Sequence, residues 1–280
     1  MTVEKRAITF ECEGDSLVGI LSIPPNCKPV GLLTLVAGGP QYRAGCGRQL
    51  VEMSEALNSE GFPVMRFDYR GIGDSTGEYQ DIRAIEPDIR SAIECFKSSV
   101  PRLERIVLWG GCNAASASLI HGAKFPEVAS MIAGNPFVGS QKTKQAVQRQ
   151  HYAQRLRDPA FWKKLFSGGF NFLEYARGLF KSILRHLKPE KPKTGQNAST
   201  EELMLHGLQA FNGTLLLLMS GQSLTSREFD VLVNNSPPWQ KQLERISSQR
   251  INIPDADQAF STQQARHQII KAACEWMNSL

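Results

Sequence analysis

The sequence predicts an α/β protein with a mostly parallel central sheet, flanking helices and an inserted helical cap. Two observations carry this reading. Over the first 138 residues, strand-length apolar runs alternate with helical periodicity, the pattern of βαβ units whose sheet is covered on both faces. The alternation stops at Gly139 and resumes at Gly213, so a helical segment interrupts the late strands rather than ending them.

Taken in order, AITFEC (7–12) and LVGILSIP (17–24) read as an antiparallel pair about the turn at Gly14 and Asp15. GLLTLVAGG (31–39) is apolar at every alternation and closes on glycines, as a strand buried on both faces does. A helix is expected over 47–60, a strand in FPVMRFD (62–68), a helix at about 84–99 and a strand in RIVLWGG (105–111). Another helix starts at 113, and VASMIAGNP (128–136) is the next strand. After the interruption, GTLLLLMSG (213–221) and QRINIP (249–254) are strands with a helical stretch between them, and a helix over about 261–279 closes the chain. The core is therefore assigned to 1–139 and 208–280, and the cap to 140–207, with KPEKPKTGQNAST (188–200) as a linker-like stretch.

Bulk properties exclude several classes. A hydrophobic content of 41% and a charged content of 21% suit a globular domain in water. The longest apolar runs, such as LLLLM (215–219), fall far short of a membrane span. MTVEKRAITF lacks the apolar core of a secretion signal, so a cytoplasmic location is expected. The six cysteines (12, 27, 46, 95, 112 and 274) include no Cys-x-x-Cys pair, which argues against a zinc site or a disulfide framework. No cofactor or metal is expected. Between Ser140 and Thr194 there are 13 Lys/Arg against 3 Asp/Glu, leaving 19 against 24 elsewhere. The net charge of +5 is thus local to one segment, and nucleic acid is not an expected partner.

Ligands of an open parallel sheet bind beyond the carboxyl ends of its strands, and the informative motifs sit there. Gly110-Gly111-Cys112-Asn113-Ala114, between a strand and a helix, has the small-x-nucleophile-x-small form of a nucleophile elbow. Gly110 and Ala114 must be small there so that strand and helix can approach. A cysteine at such a helix N-terminus is placed where the dipole favours its thiolate; the plainer alternative is a small buried cysteine. Ala37-Gly38-Gly39-Pro40 offers unobstructed backbone N–H groups, which with the amide of Asn113 would make an oxyanion hole from Gly38, Gly39 and Asn113; alone, it is a turn. In Asp68-Tyr69-Arg70-Gly71-Ile72-Gly73-Asp74-Ser75, Asp68 and Arg70 are expected to fix loop geometry rather than to catalyse.

With these motifs in this order, the chain resembles the α/β-hydrolases over essentially its whole length. More narrowly, GGPQYRAG (38–45), FPVMRFDYRGIGDSTG (62–77), LWGGCNAASA (108–117), SGQSLTSREF (220–229) and DADQAFS (255–261) resemble the exosortase A system-associated hydrolase family. Its members are α/β-hydrolases encoded with bacterial machinery for exopolysaccharide production and protein sorting at the envelope. The resemblance implies an acyl ester or thioester hydrolase, or an acyltransferase, acting on a small acyl or lipid-linked substrate with a cysteine nucleophile at Cys112.

It also implies a triad acid at the position of Ser223, where the family reads S-G-x-D-L-T, and a triad base at the position of Gln258, where it reads D-H-x-F-S. A further family histidine falls at Gly47, beside Arg48. Gln258 cannot take a proton from a thiol, and Ser223 cannot orient and charge-balance an imidazole as a carboxylate does. Two readings therefore stay open. One is an attenuated cysteine-dependent enzyme; the other is a catalytically inactive relative that binds or assembles in envelope biogenesis. Of the five histidines (121, 151, 186, 206 and 267), none is a credible substitute base; His151, in the cap, comes nearest to one.

Within the cap, GGFNFLEYARGLFKSILRHLK (168–188) has apolar residues at helical spacing and a separate basic stripe of Arg177, Lys181, Arg185 and Lys188. Such a stripe suits contact with an anionic membrane surface, peripheral to the inner membrane, or steering of an anionic substrate. The alternative is a cap helix packed on the body with a solvated basic face.

Overall fold

The computed structural model describes residues 2–37, 41–139 and 198–280. The chain divides into two units, Met1–Thr143 with Ser199–Leu280, and Lys144–Ala198. Every described secondary-structure element belongs to the first.

Eight strands form one sheet: β1 (Glu4–Cys12), β2 (Asp15–Ile23), β3 (Val30–Leu35), β4 (Val64–Asp68), β5 (Arg105–Gly111), β6 (Val128–Gly134), β7 (Thr214–Ser220) and β8 (Ser248–Ile253). Their order is β1-β2-β4-β3-β5-β6-β7-β8. β2 pairs antiparallel with both its neighbours, and every other pair is parallel. The central strands carry no polar alternation, because helices flank the sheet: every residue of β3 and β4 is buried, as is all of β7 after Thr214. Each leucine so buried contributes about 1.5–3 kcal/mol relative to exposure. The edge strands β1 and β8 are largely exposed and polar, which discourages pairing with another sheet.

The helices are α1 (Gln49–Ser59), α2 (Glu86–Ser99), α3 (Asn113–His121), α4 (Thr200–Ala210), α5 (Leu224–Asn234), α6 (Pro237–Arg245) and α7 (Gln263–Asn278). The single helical stretch expected between β7 and β8 is two helices, because Pro237 and Pro238 start a new one. α4 opens with a reciprocal capping box between Ser199 and Glu202, and packs on α3. Gly207 permits that approach, since a Cβ there would stand 2.7 Å from the Ile120 carbonyl oxygen.

The cap, expected over 140–207, lies outside the described residues as far as 197. So do His151, His186 and the basic stripe of Arg177, Lys181, Arg185 and Lys188. α4, which the sequence reading placed partly in the cap, belongs to the core unit. Among the described residues, no helix is long and apolar enough to cross a membrane.

Candidate active site

The carboxyl end of β5 runs directly into α3 through Cys112, whose backbone has φ 55° and ψ −118°. This conformation is disfavoured for a residue with a Cβ. It is held by the Cys112 N–H, which donates to the Gly134 carbonyl at 2.8 Å, and by the Ser116 N–H, which donates to the Cys112 carbonyl at 3.2 Å. The turn is so tight that a Cβ on Gly110 would stand 2.6 Å from Ala115 N, and Ala114 is fully buried. Gly110 and Ala114 are thus the points where strand and helix touch.

Ser223 and Gln258, 35 residues apart in sequence, meet beside this turn. Ser223 caps α5, accepting the Ser226 N–H at 3.2 Å, and its own hydroxyl donates to Gln258 Oε1. The amide therefore turns its Nε2 away from Ser223. That nitrogen is buried without a hydrogen-bond partner, and Gln258 lines the same cavity as Cys112. Burial pushes the Cys112 thiol above its ordinary pKa, while the Asn113 N–H and the Gln258 amide both pull against that rise. Cys112 and Gln258 line one cavity, Gln258 is bonded to Ser223, and neither of these two partners carries a charge.

Asn135, at the end of β6, locks these pieces together. It is fully buried and has φ 49°, which asparagine tolerates better than most residues. Its Nδ2 donates to Ser220 Oγ at 2.7 Å and to the Gln258 carbonyl at 2.9 Å. Its Oδ1 accepts the Ser220 N–H at 2.8 Å and the Ser226 hydroxyl at 2.5 Å. One side chain thus joins the ends of β6 and β7, the start of α5 and the loop that carries Gln258. Asp257 shapes that loop from the other side, accepting the backbone N–H of Ala259 and of Ser261 and the Ser261 hydroxyl. These bonds hold its carboxyl below the usual range.

Cys112 opens on a cavity of about 220 Å³ whose described lining contains no charged side chain. Leu35, Val36, Leu50, Trp109 and Phe260 supply apolar walls, and Gln41, Gln49, Asn113 and Gln258 supply amides. Gln49 is only 7% exposed, and its Oε1 has no hydrogen-bond partner, an expensive arrangement for a polar group that meets nothing. Among the described residues, five non-glycines have positive φ. Cys112 and Phe260 line the cavity, Arg48 precedes Gln49, and Asn135 holds the Gln258 loop. Such backbone strain concentrates at functional sites.

The remaining sequence-predicted residues fall as follows. Gly38 and Gly39 lie outside the described residues; Asn113 opens α3 and lines the cavity. Asp68 is buried, pairs with Arg43 and accepts the Asp74 N–H at 3.3 Å. Arg70 pairs with Asp88 at 2.9 Å and with Glu13. These contacts tie the β4 loop to α2 and to the β1–β2 turn, and neither Asp68 nor Arg70 lines the cavity. Gly47 has φ 56°, and a Cβ there would stand 3.3 Å from Arg266 Nη1, so a side chain at this position would press on Arg266. His121 is buried, with Nε2 2.8 Å from the Ile82 carbonyl, while His206 and His267 are exposed. None of these three lines the cavity. Among the described residues, no three His, Cys, Asp or Glu side chains are grouped so as to hold a metal ion.

Solved structures share this arrangement of strands and helices. The esterase Pf2001 of Pyrococcus furiosus matches with a TM-score of 0.67 over 99% of this chain and 91% of its own, at 15% identity. Dienelactone hydrolase from Anabaena variabilis matches at 0.62 over 100% and 99%, at 14% identity. XC6422 from Xanthomonas campestris, an α/β serine hydrolase without lid, matches at 0.57 over 97% and 93%, at 16% identity. The chain has the α/β-hydrolase fold. No family model and no curated protein matches its sequence. At such identities a shared α/β-hydrolase fold does not by itself carry the chemistry, which must be argued from the site.

Two residues of this α/β-hydrolase fold escaped the sequence reading. Asn135 carried one signal, a polar side chain between glycine and proline at the carboxyl end of an apolar strand. Gln49 carried none, since a glutamine opening an amphipathic helix is ordinary.

Proposed function

We propose that this protein is a cysteine-dependent acyl ester or thioester hydrolase or acyltransferase, with Cys112 as nucleophile and with turnover attenuated by its neutral helpers. The single observation that carries this reading is the strained elbow residue Cys112 sharing a cavity with Gln258, which is itself bonded to Ser223. Their chain order, Cys112 then Ser223 then Gln258, is the nucleophile, acid, base order of the fold. The esterase and hydrolase activities named for the structural neighbours support the same reaction class. The Asn113 N–H, at the N-terminus of α3, serves the developing oxyanion together with Gly38 and Gly39. Asp68 and Arg70 act by shaping the neighbouring loop. Membership of the exosortase A-associated type, a place in exopolysaccharide or envelope biogenesis, and a peripheral membrane contact through the basic stripe belong to this proposal on the sequence resemblance alone.

The alternative, an inactive relative that binds or assembles, draws support from the same pair: Ser223 and Gln258 satisfy one another and leave no group to take a proton. One experiment separates the two. Consumption of short acyl thioesters, by hydrolysis or by transfer to an added thiol, is assayed with wild type, Cys112→Ala, and the double variant Ser223→Asp with Gln258→His. The enzyme reading predicts slow wild-type turnover that Cys112→Ala abolishes. It also predicts a gain of about 10²-fold or more on restoring the acid and base. A wild type indistinguishable from Cys112→Ala sinks the enzyme reading in favour of the binding one. No gain in a folded double variant overturns the assignment of Ser223 and Gln258.

A further inference from the structure

We propose that an acyl group taken up by Cys112 is passed on to a thiol rather than to water, so that the protein moves acyl groups between thiols. This rests on the reading of Cys112 as nucleophile, and it follows from what occupies the base position. Gln258 is fixed twice: its Oε1 accepts the Ser223 hydroxyl, and its backbone carbonyl accepts Asn135 Nδ2 at 2.9 Å. Its Nε2 is left as the unpartnered end of the amide in the cavity that it shares with Cys112, and an amide N–H donates but accepts no proton. Among the described residues that line the cavity, Cys112 is the sole titratable side chain.

Those groups suit some steps and not others. In the first step Cys112, its proton lost to solvent, attacks as the thiolate the carbonyl of a thioester R–CO–S–R′. The new S–C bond forms, the old one breaks, and R′–S⁻ departs carrying the electron pair. A thiolate with a pKa near 8.5 leaves without being protonated, so no acid is needed. Release by water would require a proton to be removed from water itself, whose pKa is about 15.7, and Gln258 cannot take it. Release by a second thiolate R″–S⁻ requires no proton transfer at all: R–CO–S–R″ forms and the Cys112 thiolate returns. The cavity is also built to hold a polar group of the incoming molecule. Gln49 is only 7% exposed, with its Oε1 unpartnered, and it lines the same space as Cys112.

The test uses the full-length protein and a butyryl thioester of N-acetylcysteamine. Intact mass spectrometry follows the acyl adduct on Cys112, and chromatography follows free butyrate and exchange onto a second, distinguishable thiol. The expected result is a stable adduct together with thiol exchange accelerated over Cys112→Ala, while butyrate release stays at the Cys112→Ala background. Gln258→His is expected to raise butyrate release by about 10²-fold or more, the usual contribution of a positioned base. If folded wild type gives no adduct and no exchange, the nucleophile reading itself is wrong. If wild type releases butyrate as fast as it exchanges thiols, Cys112 remains the nucleophile and transfer to thiols is overturned. If Gln258→His leaves the adduct as stable as in wild type, the amide is not what spares it from water, and the proposal is likewise overturned.

Discussion

Ser223 donates a hydrogen bond from its hydroxyl to Gln258 Oε1, and this bond leaves Nε2 as the unpartnered end of an amide that lines the cavity of Cys112. Because Ser223 Oγ already accepts the Ser226 N–H, its own hydrogen is free to be donated. Burial raises the Cys112 thiol pKa, and the Gln258 amide opposes that rise.

The first prediction concerns that thiol. Only the thiolate alkylates, so the rate for Cys112 should climb with pH through a midpoint above that of a free thiol. Replacing Gln258 by leucine removes a donor to the thiolate, a bond of about 1 kcal/mol. Alkylation by iodoacetamide at pH 7.5 should then slow by roughly fivefold. Unchanged or faster alkylation in a folded Gln258→Leu protein would show that the amide does not face the sulfur.

Asn135 makes four hydrogen bonds from a fully buried side chain. Its replacement by alanine leaves Ser220, Ser226 and the Gln258 loop with unmet polar groups. We expect a loss of about 2–4 kcal/mol in denaturant unfolding, since each orphaned group carries about 1–3 kcal/mol. The loop should also loosen, so that Cys112 reactivity changes even in molecules that remain folded. A loss below 1 kcal/mol with unaltered alkylation would rule out its role as the lock.

Arg70 and Asp88 are buried together, with Arg70 Nη2 2.9 Å from Asp88 and its backbone N–H donating to the same carboxylate at 2.8 Å. Asp88→Ala leaves the guanidinium only its exposed partner Glu13 and should cost about 3–5 kcal/mol. Thermal unfolding measures this. The double variant Asp88→Ala with Arg70→Met should recover part of the loss, because it leaves no unpaired buried charge.

His121 supplies a pH dependence. Burial lowers its pKa, and the 2.8 Å contact to Ile82 O leaves Nδ1 without a partner. A histidine whose folded pKa lies below its unfolded value of about 6.5 takes up its proton on unfolding, so stability falls as pH drops below that value, by up to about 1.4 kcal/mol per unit. Nearby Lys124 works in the same direction, and Glu86 opposes it. Glu86 itself has a lowered pKa, chiefly through its bond from Lys124. Its contribution is therefore lost only at lower pH, below its unfolded value of about 4.3. Melting curves from pH 7.5 to 5.5 should show a decline in wild type that His121→Gln largely removes. An equal decline in the variant would assign the loss to other groups.

The strands were legible because a sheet covered on both faces demands long apolar runs, and β3, β5 and β7 show them. The elbow was legible for a local reason: strand, turn and helix lie within about ten residues, and the smallness of Gly110 and Ala114 is written in the sequence. The split between α5 and α6 was missed, although Pro237 and Pro238 marked it, because the helical periodicity resumes beyond them. Asn135 was missed because its four partners lie on segments 85 to 123 residues away.

By itself the sequence determined the layered fold, the position of Cys112 on a turn between strand and helix, and the neutrality of residues 223 and 258. These depend on side-chain size, periodicity and charge, which are properties of single residues and short spans. Only the tertiary structure decided that Ser223 and Gln258 meet, that the amide keeps its nitrogen unpartnered beside the cavity of Cys112, and that Gln49 Oε1 stands unpartnered in the same cavity. Those depend on where the ends of β5, β6, β7 and β8 arrive in space, and a hydrogen bond has a direction only once both of its ends have been placed.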